Sequence, residues 1–392
     1  MKDVYLDWAA TTPPDPEILH RALELSFEVY ANPSSEHWLG KNAKQSLEEA
    51  RVGLLHALGV SEGLLVFTGS GSEADHIPLL SLLGRLNIAG GRKLPHVVVS
   101  AIEHSAIDCQ VRSLEKLGVQ VSWVNPDSKG RIDPAQVLGQ LRKETALVAV
   151  MGVNNETGAV QNIAAIGQGI SKAALELGLR KPWFHVDAVQ MLGKLPMCQL
   201  SAHVDSFAIS AHKIRGPRGI GALWLSRPLN PFVCGGGQEG GIRPGTENLF
   251  GALAFRFAAE KVAESLDAHT LHARQMESRI IEGVSHIQGA LLVPDRTPGD
   301  EAYVPSIISI AFPGLGGETM VRALSDRHIA VSTGSACSSN RRQHGRRVLQ
   351  AMGVPDDVAF STIRVSTGPL TTPTDIDAFL EHAEDLYRKL KT

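Results

Sequence analysis

A chain of 392 residues that is 43% hydrophobic and 20% charged has enough apolar material for two domains, or one with an appendage, which argues against disorder. A net charge of −3 with both signs interspersed argues against a general nucleic-acid surface, so no direct nucleic-acid binding is expected. The cysteines Cys109, Cys198, Cys234 and Cys337 form no CxxC pair, the start has no apolar signal core, and no stretch is long and uncharged enough to span a bilayer. Free thiols in the cytoplasm, no metal site and no membrane contact are therefore expected.

Leu6–Pro13 reads as an extended arm. Asp15-Pro16 then supplies an N-cap and an N1 proline for a helix to about Tyr30. Asn32-Pro-Ser-Ser35 breaks it, and an amphipathic helix covers roughly 37–58. From there short apolar strands alternate with helices. The strands are Leu64–Thr68, Val97–Ser100, Val119–Val124, Ala146–Met151, Trp183–Val186, Asp205–Lys213 and Gly219–Leu225. Continuously apolar strands separated by helices predict a mostly parallel sheet covered on both faces. The Gly-rich 234–245 is a loop, and a long helical stretch from about Thr246 to His286 joins two domains. A smaller α/β unit follows, with strands at Ser306–Phe312, Ile329–Ser332 and Ser361–Ser366. Its helices are expected at Glu318–Asp326, Gln343–Met352 and Pro373–Leu390.

In a parallel sheet the carboxyl ends of the strands share one edge, where ligands bind. Gly69-Ser-Gly-Ser72 opens a helix there, so Gly71 and Ser72 are candidates for holding a phosphate by backbone N–H, hydroxyl and positive helix end. A plain N-cap turn is the bland alternative. Lys213 ends an apolar strand at a Gly/Pro turn, where desolvation would free a neutral amine. A surface lysine opening a loop is its alternative. Asp187 ends the neighbouring strand with Gln190 three residues on, and an Asp beneath a pyridine nitrogen keeps it protonated. Ser210 and His212 are expected on one strand face and Lys213 on the other. His104 could stack on a cofactor ring or shuttle protons, while Asn155 could be only a turn former. An amine, an Asp partner, a phosphate nest and a ring-facing His together specify pyridoxal phosphate (PLP) better than another common cofactor.

The small unit adds Arg364, a charge within a strand that needs either a substrate carboxylate or an internal ion pair. It also adds Cys337 in a loop of small residues followed by Arg341, Arg342, Arg346 and Arg347, where a thiol ionises readily. The other three cysteines read as packing residues. The arginines read as a solvated helix start, or more weakly as a docking patch.

The motifs Tyr-Leu-Asp-Trp-Ala-Ala-Thr-Thr-Pro, Val-Asn-Asn-Glu-Thr-Gly, His-Val-Asp-Ala-Val-Gln, Ser-Ala-His-Lys, Arg-Pro-Gly-Thr-Glu-Asn and Gly-Ser-Ala-Cys run in order through the chain. They resemble the cysteine desulfurases, in the class V group of fold-type I PLP enzymes. The resemblance implies an arm at 1–14 packing with the small domain, a large PLP-binding domain at 15–250, and a linking helix with the small domain at 251–392. It implies a homodimer acting on L-cysteine and passing sulfur to an acceptor such as an iron–sulfur scaffold or a tRNA-thiolation protein. By position, Lys213 would bond the cofactor, Asp187 pair its ring nitrogen, Gln190 its phenolic oxygen, and His104 stack on it. Gly71, Ser72, Ser210 and His212 would hold the phosphate, with Thr246 from the neighbouring subunit. Asn155 and Arg364 would bind the substrate carboxylate, and Cys337 would accept the sulfur. His76 departs from the family's usual Asn. A selenocysteine lyase, an aminotransferase of the same fold, or a non-catalytic sulfur carrier are the alternatives.

Overall fold

The computed structural model describes residues 3–85, 94–334 and 346–391. The strands of the main sheet are β2 (Leu64–Thr68), β3 (His96–Ser100), β4 (Gln120–Val124), β5 (Thr145–Ala149), β6 (Trp183–Asp187), β7 (Ser206–Ser210) and β8 (Gly221–Leu225), after a short β1 at Val4–Tyr5. They lie in the order β2-β8-β7-β6-β5-β3-β4. Every residue of β3, β7 and β8 is buried, which is why these strands read as unbroken apolar runs.

One strand departs from the expected direction. β8 is antiparallel to both β2 and β7, while the other neighbours pair in parallel. Only residues 211–220 separate β7 from β8, too few for the crossover that a parallel partner requires. The β7 strand also stops at Ser210, and Ala211–Lys213 forms a single 3-10 turn. The predicted alternation of Ser210, His212 and Lys213 across a strand therefore does not hold.

The helices flanking the sheet are α1 (Pro16–Glu28), α2 (Trp38–Ala57), α3 (Gly71–Leu80), α4 (Ser105–Lys116), α5 (Pro134–Gly139) and α6 (Ile163–Glu176). Their starts follow the local chemistry: the Asp15 carboxylate accepts from Glu17 N, Ser70 Oγ from Glu73 N at 3.1 Å, and Asn162 from Ala165 N. The single long helix expected through His286 is two, α7 (Leu249–Glu264) and α8 (Leu266–His286). They part at Ser265 (φ −105°, ψ 4°), whose hydroxyl donates back to Lys261 O at 2.9 Å, a bond that competes with helix continuation.

A second sheet, β12-β10-β9, is antiparallel and built from β9 (Leu291–Leu292), β10 (Ile307–Ala311) and β12 (Thr362–Ser366). Ile280, Ile308, Phe312 and Phe379 are buried in its apolar cluster, which draws on α8 and on the last helices α9 (Gly317–Ser325) and α12 (Pro373–Leu390). Between those two helices lie β11 (Ile329–Ala330), α10 (Arg347–Ala351) and α11 (Asp356–Phe360). β1 pairs in parallel with β11, Val4 opposite Ile329, so the first residues are stitched to this second cluster. No helix among the described residues is long and apolar enough to cross a membrane.

Candidate active site

With β8 the one reversed strand, β2 to β7 deliver their carboxyl ends to one edge of the main sheet. A cavity of about 810 Å³ lies there, lined by Gly71, Ser72, His104, Asn155, Asp187, Gln190, Ser210, His212, Lys213 and Arg364. Thr246 is exposed, on the loop before α7, and is not among the lining residues. Cys337, Arg341 and Arg342 lie outside the described residues.

The 3-10 turn after β7 turns Lys213 into the same cavity as Ser210 and His212. Lys213 Nζ donates to the carbonyls of Ala9 at 2.6 Å and Ala10 at 2.8 Å, so the N-terminal arm supplies part of the site. Gln190 Nε2 donates to the same Ala9 carbonyl at 2.9 Å. His212 Nδ1 lies 3.2 Å from Thr11 Oγ1, and burial pushes this imidazole down to about 4, helped by Lys213.

Asp187 is 5% exposed and accepts from Val189 N at 2.9 Å. Burial raises its carboxyl above the usual range, while His104 and Lys213 act the other way. His104 caps α4, its Nδ1 accepting from Ala106 N at 3.2 Å, and burial lowers the pKa of the ring, with Asp187 acting the other way. Arg364 on β12 donates to Asp7 Oδ1 at 2.7 Å and to the Asn155 carbonyl at 2.8 Å. An internal ion pair therefore accompanies its place at the cavity wall. The turn itself is made by Asn154 and not by Asn155: Asn154 Oδ1 accepts from Glu156 N and Thr157 N, both at 2.9 Å.

Three observations describe what the cavity can take. Ser210 Oγ and Gln190 Oε1 are buried without a hydrogen-bond partner among the described residues, although buried polar atoms are nearly always paired. A Cβ at Gly71 would lie 2.7 Å from Val189 Cγ2 and 3.4 Å from Ser210 Cβ, so only glycine lets the α3 backbone approach the β7 end. Asp187 is a buried carboxylate that a cation in the cavity would hold ionised. A flat cationic ring with an oxygen substituent and a phosphate tail satisfies all three, and PLP is such a group.

Other residues at this edge escaped sequence reasoning. Glu103 is 1% exposed, its carboxyl pushed up to about 8 by burial, with Oε1 bonded to Ser100 Oγ and Met151 N. Asp75 lines the cavity and accepts from His185 Nε2 at 3.1 Å. His185 Nδ1 in turn meets Ser206 Oγ at 2.8 Å, and Ser206 accepts from Trp183 Nε1 at 2.7 Å. Both carboxylates had a signal: Glu103 sits one residue before His104, and Asp75 one helical turn after Gly71. His76, the unexplained departure, has Nε2 3.1 Å from Ala106 O, tying α3 to α4.

Two readings of the sequence are corrected. Arg346 is 4% exposed and donates to Thr333 O at 2.6 Å and Phe360 O at 3.3 Å, while Arg347 holds the carbonyls of Ala101 and Glu103. They are internal anchors and not a solvated helix start, because the guanidinium forks satisfy carbonyls that close the site. Cys109, Cys198 and Cys234 are exposed and not packing residues. Cys109 lies at the cavity wall because the buried face of α4 is taken by Ile107, Val111 and Leu114.

The Aminotransferase class-V family profile matches residues 4–379. A cysteine desulfurase IscS of Dictyoglomus turgidum is 33% identical over 394 residues, covering 100% of this chain and 96% of that protein. The cysteine desulfurase IscS of Anaeromyxobacter dehalogenans is 35% identical over 393 residues, covering 99% of this chain and 93% of its own. Among solved structures, a NifS-like protein superposes with a TM-score of 0.88 at 31% identity, covering 99% of this chain and 100% of that one. DndA from Streptomyces lividans superposes with a TM-score of 0.73 at 31% identity over 93% of this chain and 99% of that one.

Proposed function

This chain belongs to the Aminotransferase class-V family and is a cysteine desulfurase, and from that premise we propose that it uses PLP to take sulfur from L-cysteine, leaving it on Cys337 and releasing L-alanine. The observation that carries the cofactor is the pair of buried, unpartnered oxygens, Ser210 Oγ and Gln190 Oε1, in a cavity that also holds Lys213 and Asp187.

Lys213 would bond the cofactor, and Asp187 would pair with its ring nitrogen. Gln190 would bond its phenolic oxygen and His104 would pack on the ring. Gly71, Ser72, Ser210 and His212 would hold its phosphate. Bound there, PLP supplies an electron sink at the substrate's Cα. Lys213, whose amine lies in the same cavity, would take the Cα proton. Its carbonyl partners Ala9 and Ala10 support this by giving the amine a fixed position. Asn155 and Arg364 orient the substrate carboxylate. The Cys337 thiolate attacks the substrate sulfur: an S–S bond forms as the C–S bond breaks, and the electron pair left on the substrate's Cβ takes a proton to become the methyl group of alanine.

The sulfur then passes to an acceptor protein, an iron–sulfur scaffold or a tRNA-thiolation protein, in the reducing cytoplasm. Thr246, exposed and away from this chain's own cavity, is assigned to the phosphate site of the second protomer in a homodimer. The arm 1–14, the unit 15–250 and the unit 251–392 are the working divisions. Helix α7, buried against the large core through Phe255 and Ala258, is the link between the last two.

The experiment is to supply purified protein with PLP, L-cysteine and a reductant and to measure alanine and sulfide together. Equal yields of both, lost in Lys213→Ala, support the reading. Alanine production that depends on an added 2-oxo acid sinks it in favour of an aminotransferase. L-selenocysteine is the comparison arm: a Cys337→Ala variant that turns over both substrates equally points to a lyase that needs no sulfur-accepting thiol.

A further inference from the structure

A second cavity, of about 120 Å³, shares Lys213 with the substrate cavity, and among the described residues no other lining residue is common to both. Its walls come from the arm (Trp8, Thr12), the turn around Lys194, the α7–α8 junction and the segments 305–306 and 367–369. Two features of it are unexplained by the reaction. Ser306 and Thr367 both line it, and their hydroxyls have no hydrogen-bond partner among the described residues, although these residues are only 8% and 4% exposed. Lys194 also lines it and has no carboxylate partner among the described residues.

The balance of charge around the cavity is positive. Asp15 is the carboxylate among the described lining residues, and it is already held by Arg215 and Lys261, each at 3.2 Å. Lys194 remains, and burial lowers the tendency of His269 to take up a proton. Burial first, then repulsion from Lys213 and Arg364, pushes the Lys194 ammonium down to about 7, so an anion beside it would relieve an unfavourable charge. The volume equals that of roughly four waters, at about 30 Å³ each, which suits a small ion of four or five heavy atoms.

We propose that this cavity is a small-anion site, taking a monocarboxylate or an inorganic oxyanion on the Lys194 ammonium and the Ser306 and Thr367 hydroxyls. An anion there touches the wall formed by Lys213 without entering the substrate cavity, so it acts on the amine without competing for substrate. The site stands on this geometry and does not depend on the desulfurase reading.

The test is calorimetric titration of the PLP-loaded protein with sodium acetate and, separately, sodium phosphate, in a chloride-free buffer. One saturable site per chain is expected for at least one anion. Acetate alone would identify a carboxylate ligand, and phosphate alone an oxyanion. Lys194→Gln should weaken binding at least tenfold, and Ser306→Ala with Thr367→Val about fivefold, while binding persists in Arg364→Gln. Near-UV circular dichroism checks that each variant is folded. The absence of saturable binding overturns the proposal. So does affinity that survives Lys194→Gln, or affinity lost in Arg364→Gln, which would put the anion in the substrate cavity.

Discussion

At the scale of single residues, Lys213 and Asp187 derive their chemistry from where the sheet ends and not from their immediate neighbours in sequence. Lys213 sits among carbonyls from a segment about 200 residues away in the chain, and Asp187 is buried at the end of β6. Lys213→Ala should remove both the visible absorbance of bound PLP and all turnover, while far-UV circular dichroism stays unchanged. Ser210→Ala tests the cradle more finely. A hydrogen bond to a charged group contributes about 1.5–3 kcal/mol, so PLP affinity measured by reconstitution of the apoprotein should fall roughly tenfold or more. An unchanged affinity would remove Ser210 from the phosphate site. These residues were legible because each stands at or just past a strand end, Lys213 before a Gly/Pro turn and Asp187 three residues before Gln190. Glu103 and Asp75 carried only a positional signal, since a carboxylate becomes notable when neighbouring elements bury it, and those neighbours lie up to 110 residues away in the chain.

At the scale of elements, the start of α3 is a tightly constrained piece of backbone at the site. The close approach of Gly71 to Val189 and Ser210 leaves no room for a side chain, and Gly71→Val should abolish PLP uptake in the apoprotein while leaving a folded protein. Where the arm meets the second sheet, a Cβ at Gly368 would lie 2.1 Å from the Trp8 ring. Gly368→Ala should therefore cost about 1–3 kcal/mol of stability, read as a lower thermal midpoint, as overpacking does elsewhere. Most elements were readable from apolar periodicity and caps. The exceptions have local physical causes. β8 is reversed by a short connection, the helical stretch is split at Ser265, and β7 is cut short by the turn that aims Lys213. None of these alters the hydrophobic pattern, so none leaves a trace in it.

For the molecule as a whole, burial of imidazoles sets an acid limit. His96 and His212 are pushed down to about 4 and His185 to about 3, each mainly by burial, from an ordinary 6.5. All three hold protons less tightly folded than unfolded. Their contribution to stability is therefore present above pH 6.5 and is lost as pH falls from there toward 4. His96→Gln should therefore lessen the fall of the thermal midpoint from pH 7 to 4.5 relative to the wild type. An unchanged difference between the two proteins across that range would show that the His96 ring is solvated. Assembly is testable at the same scale. If Thr246 serves the partner's site, mixing Lys213→Ala with Thr246→Ala protein under subunit exchange should restore part of the activity that each lacks.

The central claim is that sulfur moves from L-cysteine to Cys337 under the control of Lys213. Its most direct test is a single-turnover reaction with PLP-loaded protein and L-cysteine in the absence of reductant, followed by peptide mass spectrometry. The expected result is one alanine released per chain, with one extra sulfur on the peptide containing Cys337 and none on those with Cys109, Cys198 or Cys234. Continued alanine release from Cys337→Ala, or extra sulfur found first on Cys109 at the cavity wall, would contradict it.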